Sequence, residues 1–210
     1  ANLSDDYFRG ELSANVRLEI SNGYSCLTSD YVNMAPWTTD TVYIPDANFK
    51  AYLLGEFDAN GDNEISLEEA EAIRAIDISA SLLQVKSMAG IEYFSNLETL
   101  DCSYNRVTSL DLANNTKLKE VNVSNNKLTL LVLPASVVNV DASANQLTTL
   151  DVSSAVGLKT INVANNKLAS FNVAQNKALT SLNVNDNNLA SLDVTKLLSL
   201  AELQCGGNDI

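Results

Sequence analysis

Residues 97–117 read LETLDCSYNRVTSLDLANNTK, and the same phrase returns four times with small changes. The later units are LKEVNVSNNKLTLLVLPAS (118–136), VVNVDASANQLTTLDVSSAVG (137–157), LKTINVANNKLASFNVAQNKA (158–178) and LTSLNVNDNNLASLDVTKLLS (179–199). LAELQCGGNDI (200–210) opens a sixth unit and breaks off. An asparagine recurs at Asn105, Asn126, Asn145, Asn166, Asn187 and Asn208, with apolar residues five and three positions before it and two after it. Apolar residues two apart share one face of a strand, so Leu100/Cys102, Val121/Val123 and Ile161/Val163 are predicted to point inward. Later pairs such as Leu110/Leu112 and Leu192/Val194 return a second extended segment to the same core. One such unit cannot bury its apolar face alone, so the units must stack into a solenoid. The asparagine closes each strand, where a short amide can bond turn backbone and tolerate a left-handed residue. Buried inside, six of them would form a ladder tying coil to coil.

These units match the LxxLxLxxNxL pattern over residues 97–210 and resemble the leucine-rich repeat family. They are most similar to bacterial surface repeats of the internalin J type, internalin-like proteins with 21-residue units. The resemblance implies an α/β solenoid, a right-handed superhelix with a parallel concave sheet, behind a helical, EF-hand-like N-terminal cap. In those relatives a cysteine ladder fills a core position kept here only by Cys102 and Cys205. Five coils at about 4.8 Å separate the two by roughly 24 Å, beyond disulfide reach, so both read as buried apolar thiols. The third cysteine, Cys26, has no CxxC partner. Residues 76–97 read as an irregular first coil, giving six to seven strands and a solenoid over 76–210.

Ahead of the repeats, 42–75 reads as the cap. VYIPDANFKAYLLGEF (42–57) has helix-start residues Pro45 and Asp46 and an apolar face of Phe49, Leu53, Leu54 and Phe57. DANGDNEISLEE (58–69) follows, then SLEEAEAIRAI (66–76), helical by pattern with Ala70, Ile73 and Ile76 inward. Helix, twelve-residue loop and helix is the EF-hand layout. Asp58, Asn60 and Asp62 stand at loop positions 1, 3 and 5, Glu64 offers its carbonyl at 7, Ser66 stands at 9 and Glu69 at 12. Six oxygens wound about one point suit a structural Ca2+. Position 6 is Asn63 instead of glycine, the non-glycine type that best tolerates positive φ. The competing reading is a capping box, Ser66 with Glu69, and no metal. An isolated EF-hand also lacks the partner loop that stiffens Ile65.

The first 41 residues hold five of the thirteen aromatic residues, among them Tyr7, Tyr24 and Trp37. They are expected to pack onto the cap, with VRLEISNGYSCL (16–27) forming a hairpin around Asn22-Gly23.

Composition removes several functions. The chain has no histidine, which excludes Ser-His-Asp and Cys-His nucleophile systems and histidine-bearing zinc sites. Net charge is −13, with 16 acids and 5 bases in residues 1–96 against 10 and 8 in residues 97–210. That balance argues against nucleic acid and anionic membranes as partners. No apolar run is long enough to insert in a bilayer. ANLSDDYFRG at the start has neither a basic region nor an apolar core of a signal peptide. At Ile210 the chain stops within a coil, as a truncated protein would.

The outward strand positions read as the candidate ligand face: Asp101, Ser103, Glu120, Asn122, Asp141, Asn162 and Asn183. This face is polar and has none of the aromatic or arginine anchors that dominate binding energy. The family resemblance implies a secreted or cell-surface binding module for a protein or a glycan, and no enzyme. A structural spacer displaying another domain is the alternative. A carboxylate-pair glycoside hydrolase is disfavoured, because the repeat acids lie on open surface and not in a cleft.

Overall fold

The computed structural model describes residues 40–79 and 83–210. Residues 1–39 and 40–210 separate into two units. The expected hairpin, the packing of the early aromatics and Cys26 all lie outside the described residues.

Among the described residues nine strands of three residues each form two parallel sheets. The larger has seven strands: β1 (Ala75–Asp77), β2 (Thr99–Asp101), β4 (Glu120–Asn122), β6 (Asn139–Asp141), β7 (Thr160–Asn162), β8 (Ser181–Asn183) and β9 (Glu202–Gln204). Their register is that of the repeat: Leu100 lies beside Val121, Val121 beside Val140, Val140 beside Ile161 and Ile161 beside Leu182. All of these are buried, as are Cys102, Val123, Ala142, Val163 and Val184 two positions on. The solenoid and its parallel sheet are therefore as the period requires.

The second extended segment is less regular than the pattern implied. β3 (Ser109–Asp111) pairs with β5 (Leu130–Val132), and no further strand joins them among the described residues. A side-chain turn follows this segment whether or not it pairs: Asp111 Oδ1 accepts from Ala113 N–H, Asp151 Oδ1 from Ser153 N–H, Asn172 Oδ1 from Ala174 N–H and Asp193 Oδ1 from Thr195 N–H.

The asparagine ladder is complete. Each amide nitrogen donates to a carbonyl of the preceding coil, as Asn126 to Cys102 (2.9 Å), Asn145 to Val123 (2.9 Å) and Asn166 to Ala142 (2.9 Å). The same nitrogens donate within their own turn, Asn145 to Ala142 and Ser143. Each amide oxygen accepts a backbone N–H of the preceding coil, as Asn126 from Val107 and Asn145 from Leu128. The asparagine itself does not take the left-handed conformation expected of it. The residue before it does: Tyr104, Asn125, Ala144, Asn165, Asp186 and Gly207 all have φ between 53° and 66°. That kink turns the amide inward, so the ladder side chain bonds backbone on both sides of the turn.

A second, shorter set lies outside the six-asparagine pattern. Asn115 and Asn176 are fully buried and donate to Ile91 and Phe94, and to Val152 and Ala155, of the preceding coil. Their amide oxygens have no partner, and the bonds to four carbonyls offset that loss.

The cap consists of α1 (Ala47–Phe57) and α2 (Leu67–Ala72). α2 is shorter than the pattern suggested: Ile73 caps it and Ile76 already belongs to β1. Phe49, Leu53, Ala70, Ile73 and Ile76 are buried in one cluster continuous with the repeat core, with Leu54 and Phe57 packed against it. Cys102 is buried and its thiol pushed up to about 12 by that burial. Cys205 is only half-buried, because the last coil is covered on one side; both cysteines are free.

Replacing Asn145 by alanine leaves the Leu128 N–H without its acceptor and takes one of two donors from each of three carbonyls, and should cost about 3 kcal/mol by denaturant titration. Asn208→Ala, on the half-buried last rung, should cost less than half as much. Equal small losses at both positions would mean the ladder is incidental.

Candidate functional site

Two columns of side chains project from the seven-stranded sheet. One runs Thr99, Glu120, Asn139, Thr160, Ser181, Glu202, and the other Asp101, Asn122, Asp141, Asn162, Asn183, Gln204. Apart from Glu202, both line a single open groove of about 570 Å3. Six of the seven expected ligand-face residues stand there: Asp101, Glu120, Asn122, Asp141, Asn162 and Asn183. Ser103 does not. It is 2% exposed, because the strand ends at Asp101 and the turn carries the next residues inward, so period-two alternation stops. Ser124 is buried for the same reason.

The groove carboxylates are held in place. Asp101 Oδ1 accepts Ser103 N–H at 2.9 Å, and its Oδ2 accepts the Asn122 amide at 2.8 Å. Asp141 repeats this with Ser143 (2.9 Å) and Asn162 (3.1 Å). In the other column Asn139 donates to Glu120 at 2.8 Å and Thr160 donates to Asn139 at 2.7 Å. Asp77, Asp101, Glu120, Asp141 and Glu202 put five carboxylates among the fourteen outward positions of the sheet, which hold no base. Fixed acceptors of one charge sign suit a partner rich in N–H donors.

The cap loop, which has EF-hand spacing in sequence, is closed by bonds from its own N–H groups. Asp58 accepts from the N–H groups of Gly61 (2.8 Å) and Asn63 (3.0 Å), Asn60 from Asp62, and Asp62 from Glu64. Asn63 has φ 65°, as the sixth position of such a loop demands. The capping box is also present: Ser66 Oγ accepts Glu69 N–H, and the Glu69 carboxylate accepts Ser66 N–H. The other Glu69 oxygen accepts Ala59 N–H at 2.8 Å. The Glu64 side chain, which the cation reading leaves aside, pairs with Lys50 at 2.7 Å. Among the described residues no three Asp, Glu or Cys side chains converge as a metal-binding group. The donor chemistry and the left-handed Asn63 thus fit a hard cation, and the convergence of the carboxylates does not.

Two features of the cap escaped sequence reasoning. Residues 40–42 supply what a second loop would: Val42 N–H donates to the Ile65 carbonyl at 2.7 Å, and Thr41 bridges Ser66 antiparallel. This strap then passes Gly90, where a Cβ would lie 2.9 Å from the Tyr43 carbonyl oxygen. Asp46 also does more than cap α1. Its Oδ1 accepts Asn48 and Phe49 N–H, while Oδ2 accepts Lys86 and Ser87 N–H, forty residues on. Partial burial pushes its pKa up, yet the four N–H bonds together hold it below the usual 3.8.

A family profile described as "Leucine Rich repeats (2 copies)" matches residues 95–135. Internalin J of Listeria monocytogenes serotype 4b (strain F2365) is 34% identical over 74 residues. Residues 95–135 therefore carry leucine-rich repeats, and the chain is similar to internalin-like leucine-rich repeat proteins. The aligned stretch is 35% of this chain and 8% of internalin J, so most of that relative lies outside the comparison. Among solved structures, internalin C2 of Listeria monocytogenes superimposes with TM-score 0.55 at 21% identity, covering 79% of this chain and 86% of that one. A leucine-rich repeat protein of Leptospira interrogans gives TM-score 0.58 at 23% identity, covering 68% and 39%. Both likenesses show the fold of these leucine-rich repeats.

Glu69 is held below its usual 4.5, chiefly by the Ser66 backbone N–H. A lowered folded pKa contributes stability that is present above the unfolded value and lost as pH falls toward the folded one. Cap stability, read as amide exchange at Ile65 and Ala70, should therefore drop as pH falls below 4.5, and Glu69→Gln should flatten that drop. Asp46→Ala should cost about 2–3 kcal/mol, since it removes a helix cap and two further N–H acceptors.

Proposed function

We propose that this leucine-rich repeat chain is a protein-binding module of a secreted or cell-surface bacterial protein, and that its ligand lies along the seven-stranded sheet. The supporting observation is the open groove with carboxylates already oriented by their neighbours' amides and N–H groups. Pre-oriented acceptors lose little freedom on binding, which favours affinity. The expected partner surface carries lysine, arginine or free backbone donors. A glycan is the weaker fit to the groove, which offers no aromatic platform on its outward positions. Family likeness supports the binding role and the bacterial setting, and fold by itself does not choose the ligand.

The test is capture from host and neighbouring cell-surface extracts, followed by the triple change Asp101→Asn, Glu120→Gln, Asp141→Asn. A partner held by the parent chain and lost by the triple variant supports the groove. A partner lost instead on removing residues 1–39 transfers binding to that segment. No captured partner favours the spacer alternative, which the mutual bonding of the groove side chains also suits.

A second proposal concerns the cap. Asp58, Asn60, Asp62, the Glu64 carbonyl, Ser66 and Glu69 would hold a structural calcium ion, with the left-handed Asn63 as the observation in its favour. Bound there, the ion supplies charge compensation for a loop rich in acids and no chemistry. With a Kd on the order of 1 mM, about 10 mM calcium would add about 1.4 kcal/mol. Thermal midpoints with calcium and with chelator should then differ by roughly 3–5 °C, and the gap should vanish in Asp58→Ala. Identical melts would leave the capping box and the N–H bonds as the whole account of the loop.

A further inference from the structure

Four of the turns that leave the sheet carry the opposite sign to the groove, while the next, NDNNLA (185–190), holds Asp186 and no base. In four consecutive coils they read SYNRVT (103–108), SNNKLT (124–129), SANQLT (143–148) and ANNKLA (164–169). They contain three cations and no acid, in a chain with twice as many acids as bases. Arg106, Lys127 and Lys167 each follow a ladder asparagine, so the three fall in one column along the solenoid edge. Arg106 and Lys127 are one coil apart and Lys127 and Lys167 two, at roughly 4.8 Å per coil. None of them pairs with the carboxylate of a described residue. Lys167 touches the Gln146 side-chain oxygen at 3.5 Å.

Tyr104 stands at the head of this edge. It is 71% exposed and has φ 57°, an outlying conformation for a bulky residue. Other coils fill that left-handed place with Asn, Ala, Asp or Gly. A solvated ring gains too little from packing to offset the strain, so nothing in the fold calls for tyrosine here.

We infer that this edge binds an acidic polysaccharide. The Tyr104 ring offers a flat apolar face to a sugar. The column of Arg106, Lys127 and Lys167 meets carboxylate or sulfate groups along the glycan, and the exposed amides of Asn125 and Asn165 meet hydroxyls between them. The strip lies beside the strand-end column that holds Asp101 and Asp141. A linear glycan fits it, whereas a duplex or a broad acidic protein surface would overlap the groove carboxylates and be repelled.

The experiment titrates the whole chain with heparin as the sulfated probe and polygalacturonate as the carboxylated one. Dextran and poly-L-glutamate serve as neutral and polypeptide controls, at low salt and at about 0.15 M. Saturable, salt-sensitive binding to either acidic glycan is expected, and its source follows from which probe binds more tightly. The triple change Arg106→Gln, Lys127→Gln, Lys167→Gln should weaken it about tenfold and reduce its salt dependence. Tyr104→Asn should weaken it with the salt dependence intact, while raising the thermal midpoint by relieving strain. Asp101→Asn with Asp141→Asn should leave it unchanged or tighter. The proposal fails if neither glycan binds saturably at low salt, or if the cation triple variant binds as the parent does. It fails equally if poly-L-glutamate matches the glycans, and unchanged binding by Tyr104→Asn overturns the stacking role.

Discussion

A buried asparagine amide in each coil bonds backbone of the coil before it, through both its nitrogen and its oxygen. Apolar packing alone would let neighbouring coils slide, since one valine or leucine fits against another at many offsets. The amide permits no slide: moving it by one residue would leave a buried donor and acceptor unpaired, at about 1–3 kcal/mol each. The register Leu100–Val121–Val140–Ile161–Leu182 is therefore imposed by Asn126, Asn145, Asn166 and Asn187 as much as by the strands themselves. The left-handed residue before each asparagine is the backbone condition that lets the amide reach inward.

Fixed register is what gives the surface its meaning. Because each coil repeats the last in phase, a residue type at one repeat position becomes a column. Acids at the strand positions make a negative groove, and bases just past the asparagine make a positive edge beside it. Neither would exist if coils slipped by one residue, since slipping turns outward side chains inward. At the front, the same logic requires a seal in phase with the first coil. Asp46 provides it by joining α1 to Lys86 and Ser87, and Asn96 adds a bond to the Glu71 carbonyl.

Features repeated every coil were legible in the sequence, because each recurrence tests the one before. The inward pairs, the ladder asparagines and six of the seven groove residues belong to this class. Ser103 was misplaced because alternation holds only while the strand lasts, and these strands last three residues. The left-handed column was hidden by its variety, Tyr, Asn, Ala, Asp and Gly sharing a conformation but no side-chain chemistry. Residue contacts made once, far apart in sequence, left no pattern at all: the 40–42 strap on Ile65 and the double role of Asp46 are of this kind. For the cap loop, spacing recovered the capping box and the left-handed Asn63. It also suggested converging carboxylates, whereas here those oxygens are occupied by N–H groups from the loop's own backbone.

The ladder is tested most directly by native-state hydrogen exchange at five of the amides it captures, those of Val107, Leu128, Leu147, Leu168 and Leu189. If the asparagines lock the coils together, the four inner amides exchange only through global unfolding, and Leu189 beside the half-buried last rung exchanges sooner. Exchange of all five at the pace of surface turn amides would contradict the account, leaving apolar packing as the only tie between coils.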